Sequence, residues 1–147
     1  MAVRFFHLIS IGTTSGRLGQ NGSRKDSPLV DIIPYEPEFY VDMPRLAEVG
    51  TAWNGVDRIL YDIVNRFNVP QGHALEFGVE HGYSTSALAN VFAKVTGVDT
   101  FCGDQHSGYK DDHYQGTREI LRPWPYISLS QVNYEQWLRF DVGCYDL

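Results

Sequence analysis

The chain has 147 residues, of which 43% are hydrophobic and 20% charged, enough for about one domain with a buried core. A net charge of −6 and scattered basic residues argue against a nucleic-acid-binding surface. No apolar run is long enough to cross a membrane, and residues 5–12 lack the length and cleavage site of a signal peptide. Cys102 and Cys144 have no metal-ligand spacing, which favours reduced thiols and a cytoplasmic protein.

Residues 1–50 are predicted to form an irregular, flexible N-terminal segment. Within it, residues 12–28 are polar and rich in Gly, Ser and Thr, and such a run cannot bury enough surface to order itself. A phosphate-binding loop is the alternative interpretation of these glycines. It lacks support, because no Gly-Lys-Ser/Thr follows and no amphipathic helix opens after them. Prolines at 28, 34, 37 and 44 then fix an extended path.

From Trp53 to Phe67, apolar residues recur at helical spacing and predict an amphipathic helix. We expect Thr51 or Asn54 to cap its start and the sequence at 69–72 to end it. The expected core-facing side chains are Trp53, Val56, Ile59, Leu60, Ile63, Val64 and Phe67.

Residues 51–147 are predicted to form an α/β domain with a doubly wound parallel sheet. Short apolar segments at 74–79, 95–99, 126–130 and 144–147 are the predicted strands. Between them, helices are predicted from Ser84 or Thr85 as a cap, near 117–121 and at 133–140. Strands that alternate with helices favour a parallel sheet with right-handed crossovers.

The tips of the first two predicted strands carry a candidate ligand site, since ligands of such sheets bind outside the carboxyl ends of the strands. Gly78 and Gly82 allow a tight turn and a close approach to a ligand, and the helix opening at Ser84 offers N–H groups to an anionic group. Asp99, 21 residues after Gly78, stands where a carboxylate accepts both hydroxyls of a ribose. Glu76, inside an apolar strand, needs a partner such as a ligand cation. An unspecialised glycine turn is the alternative interpretation.

The spacing of the glycines bears on the class of ligand. Dinucleotide sites use G-x-G-x-x-G, and Glu80 stands where that pattern has its second glycine, so its carboxylate would repel a pyrophosphate. Glu76 and Glu80 suit a ligand with a sulfonium and an ammonium group, as in S-adenosylmethionine. An NAD(P)-dependent oxidoreductase is the alternative from another enzyme class.

The stretch Glu76-x-Gly78-x-x-x-Gly82-Tyr83-Ser84 resembles the first motif of class I S-adenosylmethionine-dependent methyltransferases, in the form seen in catechol-type and caffeoyl-coenzyme-A-type O-methyltransferases. Residues 98–109 look like an Asp-Thr-Trp-x-Gly-Asp-x-His-x-Gly stretch of small-molecule or glycan-modifying methyltransferases, with Phe101 in place of Trp. The resemblance covers residues 51–147 and implies a Rossmann-like sheet of about seven strands, of which about four are present. We therefore expect a C-terminally truncated domain with little or no turnover by itself.

The resemblance also implies roles for residues. Glu76, Gly78 and Ser84 would hold the methionine part of the cofactor and Asp99 its ribose, while residues 131–133 would lie near the adenine. The implied reaction is O-methylation of a small molecule or saccharide, with no nucleic-acid or membrane partner. A non-catalytic nucleoside-binding or remnant domain is the third interpretation. The predicted cofactor-binding residues are Glu76, Gly78, Glu80, Gly82, Ser84 and Asp99.

His106, in the loop after the second predicted strand, is the candidate catalytic base, because histidines titrate near neutrality. The alternative is a loop histidine that hydrogen-bonds Asp104 or the backbone. Acidic residues and histidines between 104 and 113 also suggest a divalent metal such as Mg²⁺, but their spacing matches no ligand pattern. A solvated acidic loop explains them as well, and no metal ligand is assigned.

Overall fold

The computed structural model describes residues 35–39, 41–103 and 110–147. These residues form an α/β unit with a parallel sheet, which confirms the fold class at that level. No helix in this described part is long and apolar enough to cross a membrane. The elements, in chain order, are α1 (Val56–Arg66), β1 (His73–Phe77), α2 (Tyr83–Leu88), β2 (Lys94–Asp99), α3 (Tyr114–Leu121), β3 (Ile127–Gln131) and α4 (Tyr134–Phe140).

The sheet has the order β1-β2-β3, with all neighbours parallel. Glu76 of β1 lies opposite Gly97 of β2, and Asp99 of β2 lies opposite Gln131 of β3. The central strand β2 is buried from Val95 to Val98, as expected for a strand covered on both faces. This register brings the carboxyl ends of the three strands to one edge, where the predicted site residues lie. The buried core joins the sheet to the helices through Val64, Val79, Phe92, Val95, Phe101, Leu121 and Trp124.

Several boundaries differ slightly from the prediction: β1 spans His73–Phe77 instead of 74–79, and β2 begins at Lys94, one residue earlier than expected. β3 begins at Ile127, one residue later than expected. Asn133, predicted as part of the last helix, is the N-cap of α4, where its side chain accepts a hydrogen bond from the N–H of Glu135 at 2.7 Å. A side-chain oxygen at this position satisfies a backbone donor that the helix itself cannot pair.

The predicted fourth strand, at 144–147, is not assigned as a strand, and that prediction is wrong as stated. The segment nevertheless lies along β1 on the side away from β2, where the N–H of Asp146 donates to the carbonyl of His73 and the N–H of Leu75 donates to the carbonyl of Leu147. The Asp146 carboxylate also accepts from the N–H groups of Gly72 and His73, at 3.0 and 2.8 Å. Side-chain hydrogen bonds of this kind compete with a regular ladder.

The predicted core face of α1 is only partly correct. Val64 is buried, but Trp53 and Phe67 are 59% and 68% exposed. The helix begins at Val56 with Gly55, at φ +91°, as its N-cap, so neither Thr51 nor Asn54 caps it. Thr51 instead accepts a hydrogen bond from the N–H of Trp53. The apolar periodicity missed this arrangement, because α1 turns two acidic side chains inward, Asp57 and Asp62.

Asp62 is fully buried and holds residues 35–39 against α1. Its carboxylate accepts hydrogen bonds from the Tyr35 hydroxyl and from the N–H groups of Glu38 and Phe39, and it forms an ion pair with Arg66 at 2.9 Å. Burial by itself would raise the pKa of Asp62, but these donors outweigh it and hold the pKa well below its usual range. Asp62, although it faces the inner side of α1, is therefore fully hydrogen-bonded and fixes residues 35–39 to the helix.

Candidate functional site

The turn between β1 and α2, residues 78–82, is called the glycine loop here. Three of its residues have a left-handed backbone, with φ of +87° at Gly78, +51° at Glu80 and +88° at Gly82. The Gly78 N–H donates to the carbonyl of Val98, and the Gly82 N–H donates to the carbonyl of Val79. Left-handed backbone is inexpensive for glycine but costly for a glutamate, so this loop holds a strained residue between two glycines.

The two glycines of the loop have different surroundings. A Cβ at Gly82 would lie 2.8–2.9 Å from side-chain carbons of Leu121, so Gly82 is required for packing against α3. A Cβ at Gly78 would meet nothing within 4 Å. Open space for a ligand therefore lies over Gly78. At Gly82, where a ligand was also predicted to approach the backbone, the core side chain of Leu121 lies instead.

A small open cleft lies beside the glycine loop. Three of the predicted cofactor-binding residues, Gly78, Glu80 and Ser84, belong to its wall. Within the described part of the chain, the other three, Glu76, Gly82 and Asp99, support the loop and do not line the cleft. The full lining comprises residues 49–51, Trp53, residues 78–81, Tyr83 and Ser84.

Glu76 is half-buried in β1 and bonded to the first turn of α2. Its carboxylate accepts a hydrogen bond from the Thr85 hydroxyl at 2.5 Å and another from the Ser84 hydroxyl. Burial raises the pKa of Glu76, these two hydrogen bonds oppose the rise, and the charge of Asp99 adds to it. Neither Ser84 nor Thr85 caps α2 as predicted, because Gly82 occupies the cap position and the hydroxyls point to Glu76 instead.

Asp99 joins the end of β2 to the glycine loop. One carboxylate oxygen accepts from the N–H of Glu80 at 2.8 Å, and the other accepts from the N–H of Phe101, also at 2.8 Å. Both donors have left-handed backbone, with φ of +51° and +57°. The oxygen that accepts from Phe101 also accepts from the Thr100 hydroxyl at 3.5 Å. A carboxylate has about four lone-pair positions, so the oxygen bonded to Glu80 retains one for a ligand hydroxyl. Asp99 is therefore a support of the loop as well as a candidate ligand contact.

Sequence reasoning missed several residues of the cleft wall. His81 and Tyr83 lie inside the motif that carried the prediction, yet they received no role. The Tyr83 hydroxyl donates to Asp57 at 3.4 Å, and burial together with the charge of Asp57 raises the pKa of Tyr83. Trp53 was expected in the core and instead lies in the wall, largely exposed. No local pattern marks it, since its place in the cleft wall depends on how the chain before α1 packs.

The proposed catalytic base His106 and its neighbour Asp104 lie outside the described residues. Of the acidic loop, Asp112 is described: its carboxylate accepts from the N–H of Tyr114 and from the Gln131 amide, each at 2.9 Å. These hydrogen bonds lower the pKa of Asp112. The described residues contain no group of three or more His, Cys, Asp or Glu side chains placed to hold a metal ion. Gln131 itself lies at the carboxyl end of β3, beside this loop.

A second, larger opening lies between α3 and β3. Arg118, Arg122 and Trp124 are among its lining residues. It contains none of the predicted cofactor-binding residues, and its two arginines would not attract a cation. The smaller cleft at the glycine loop is therefore the candidate site.

No family model matches the chain, and no curated protein matches its sequence. What the site can bind therefore follows from its chemistry. Glu80 lies in the cleft wall, while Glu76 bonds to α2 and Asp99 bonds to the glycine loop. Three acidic residues in and around the loop favour a cationic ligand with hydroxyl groups and disfavour a polyanion.

Proposed function

We propose that the chain binds S-adenosylmethionine at the glycine loop and is a methyltransferase of the class I type, acting on an oxygen atom of a small molecule or saccharide. The observation that carries the proposal is the open space over Gly78, with Glu80 in the cleft wall and the carboxylates of Glu76 and Asp99 bonded to α2 and to the glycine loop. The resemblance of residues 76–84 to the first methyltransferase motif supports the same ligand.

A dinucleotide is the competing ligand, and two features of the loop disfavour it. A pyrophosphate would lie against the backbone at the position of Glu80, whose exposed carboxylate repels it. The second place where a pyrophosphate would approach the backbone, at Gly82, is occupied by the Leu121 side chain. A sulfonium and an ammonium group meet neither obstacle, so the proposal favours S-adenosylmethionine over NAD(P).

When bound, S-adenosylmethionine supplies a methyl group on a positively charged sulfur. The residues of the chain would bind and orient it: Glu80 from the cleft wall, Glu76 through a carboxylate whose charged form a nearby cation stabilises, and Asp99 through its remaining lone pair. The acceptor hydroxyl must lose a proton as its oxygen gains the methyl group. His106 remains the candidate base from the sequence, and His81 is a second candidate because it lies in the cleft wall.

The finer description of the fold belongs to the same proposal. A Rossmann-like, doubly wound sheet reverses its strand order at β1. The contacts of Asp146 and Leu147 on the side of β1 away from β2 support such a reversal. A cytoplasmic location is proposed as well, and the free, exposed thiols of Cys102 and Cys144 support it.

Isothermal titration of the chain with S-adenosylmethionine, NAD⁺ and adenosine tests the proposal. We expect S-adenosylmethionine to bind most tightly. Glu80→Gln should weaken this binding by about 1 kcal/mol, the scale of an exposed charge pair, and should weaken S-adenosylhomocysteine less, because its sulfur is uncharged. Glu119→Gln, an exposed glutamate on α3, is the matched control and should change nothing. Tighter binding of NAD⁺ would favour an oxidoreductase instead.

Asp99 is a less selective probe of the same site. Asp99→Ala should weaken S-adenosylmethionine binding by roughly 1–3 kcal/mol if the carboxylate accepts ribose hydroxyls. The same substitution also leaves the N–H groups of Glu80 and Phe101 without their acceptor, so part of the loss would come from the loop. For this reason Glu80→Gln, which keeps the backbone contacts, decides the question more directly.

A further inference from the structure

One face of α3 contacts the glycine loop residue by residue. His113, the N-cap of α3, is followed at intervals of four by Thr117 and Leu121, and residues with this spacing lie one above another on a helix. Each of the three meets a different residue of the loop. The pairs are His113 with His81, Thr117 with Glu80, and Leu121 with Gly82.

The middle pair is a hydrogen bond from a buried hydroxyl to the strained residue. Thr117 is 1% exposed, and its hydroxyl donates to the carbonyl of Glu80 at 2.9 Å. The N–H of the same glutamate donates to Asp99 at 2.8 Å. The N–H of Glu80 is therefore held by Asp99 at the end of β2, and its carbonyl is held by Thr117 of α3. A left-handed glutamate persists when its surroundings determine its conformation in this way.

The two outer pairs hold the loop on either side of Glu80. The rings of His81 and His113 have their centroids 4.9 Å apart. Leu121, 3% exposed, fills the space that a Cβ on Gly82 would need. None of the described α3 residues belongs to the cleft wall, whereas Glu80 and His81, which α3 contacts, do. The contacts of α3 with the cleft therefore run through the loop.

We propose that α3 sets the conformation of the glycine loop and that Thr117 is a positioning residue for the ligand of the cleft. Its hydroxyl keeps Glu80, a residue of the cleft wall, in the left-handed conformation. Without it, the Glu80 carbonyl loses its buried donor and the backbone relaxes toward an unstrained conformation. Only the identity of the ligand rests on the proposed function; the control of the loop by α3 does not.

The test compares Thr117→Val, which keeps the shape but removes the hydroxyl, with Thr117→Ser, which keeps the hydroxyl. Thr96→Val is the matched control: Thr96 is also buried, and its hydroxyl bonds His73 within the sheet, away from the loop. Two measurements are made on each variant. Amide hydrogen exchange and ¹⁵N chemical shifts of residues 78–82 are recorded without ligand, and the affinity for S-adenosylmethionine is measured by calorimetry.

We expect Thr117→Val to speed amide exchange at Glu80 and to weaken S-adenosylmethionine binding roughly five- to tenfold, the loss of one hydrogen bond. Thr117→Ser should restore both values, and Thr96→Val should lower the melting temperature without changing either. Unchanged loop amides in Thr117→Val would overturn the proposal. If the wild-type chain does not bind S-adenosylmethionine, the proposed function fails, and the loop amides alone decide whether α3 controls the loop.

Discussion

The two glycines of the loop predict two different responses to the same substitution. Gly78→Ala adds a methyl group where nothing lies within 4 Å, so its cost to folding is that of a left-handed alanine, roughly 1–2 kcal/mol. Gly82→Ala has the same backbone cost, since φ is +88°, and adds an overlap with Leu121 at 2.8–2.9 Å. Overpacking of a core costs roughly 1–3 kcal/mol, which gives a total of about 2–5 kcal/mol for Gly82→Ala.

The overlap at Gly82 is not easily relieved. The new methyl group would meet the Leu121 Cγ, an atom close to the backbone that cannot swing away. The Leu121 side chain is also buried, with 3% exposure, so it has little room to move. Urea unfolding followed by tryptophan fluorescence measures both costs, with the slope of the transition checked for each variant. Equal destabilisation by the two substitutions, or a larger cost at Gly78, would refute the assignment of Gly82 to packing and of Gly78 to open space.

The variants also differ in what they do to a ligand. Gly78 belongs to the cleft wall, so the methyl group of Gly78→Ala occupies space that the proposed cofactor needs. We expect this variant to stay folded and to bind S-adenosylmethionine at least about tenfold more weakly, equivalent to ~1.4 kcal/mol. Wild-type affinity in a folded Gly78→Ala chain would mean that the ligand does not approach the backbone there.

Three further predictions concern buried polar groups. The folded-state pKa of Glu76 is raised, so its protonated form stabilises the fold at low pH, and this contribution is lost as the pH rises through that pKa. Glu76→Gln should therefore raise the melting temperature at neutral pH and make little difference in acid. The pKa of Asp62 is lowered instead, so its contribution is present at neutral pH and lost in acid, and Asp62→Asn should lower the melting temperature at pH 7 more than at pH 3. Ser86→Ala leaves the buried N–H of Ala47 without its acceptor and should cost about 1–3 kcal/mol in urea unfolding, whereas Ser128→Ala, at an exposed position, should fall within about 0.5 kcal/mol of wild type.

Much of the fold was predictable because its strongest signals are local. Short apolar segments bounded by turn residues identified β1, β2 and β3 to within a residue or two, and their alternation with helices predicted the parallel sheet. The burial of α1 was not predictable in this way. Its inward-facing Asp57 and Asp62 receive partners from residues far away in the chain, such as Tyr35 and Tyr83, which a helical pattern does not reveal.

The candidate site shows a similar division. Gly78, Glu80 and Ser84, which the motif groups together, line one cleft, since residues so close in sequence stay close in the turn. Their role in binding a cofactor stays a prediction. The motif did not show that Gly78 borders open space while Gly82 packs against the core. The residue that packs on Gly82 is Leu121, which belongs to a helix nearly forty residues later. Nor did the motif foresee that Asp99 supports Glu80 and Phe101, since hydrogen bonds from strained backbone have no signature in the sequence.

Binding of S-adenosylmethionine at the glycine loop can be observed residue by residue. The most direct test is a titration of ¹⁵N-labelled chain with S-adenosylmethionine, followed residue by residue through amide chemical shifts. We expect saturable shifts at Gly78, Glu80 and Ser84, with little change along α3 and β3 at the second opening, residues 118–129. Shifts confined to that second opening, or none at saturating ligand, would contradict binding at the glycine loop.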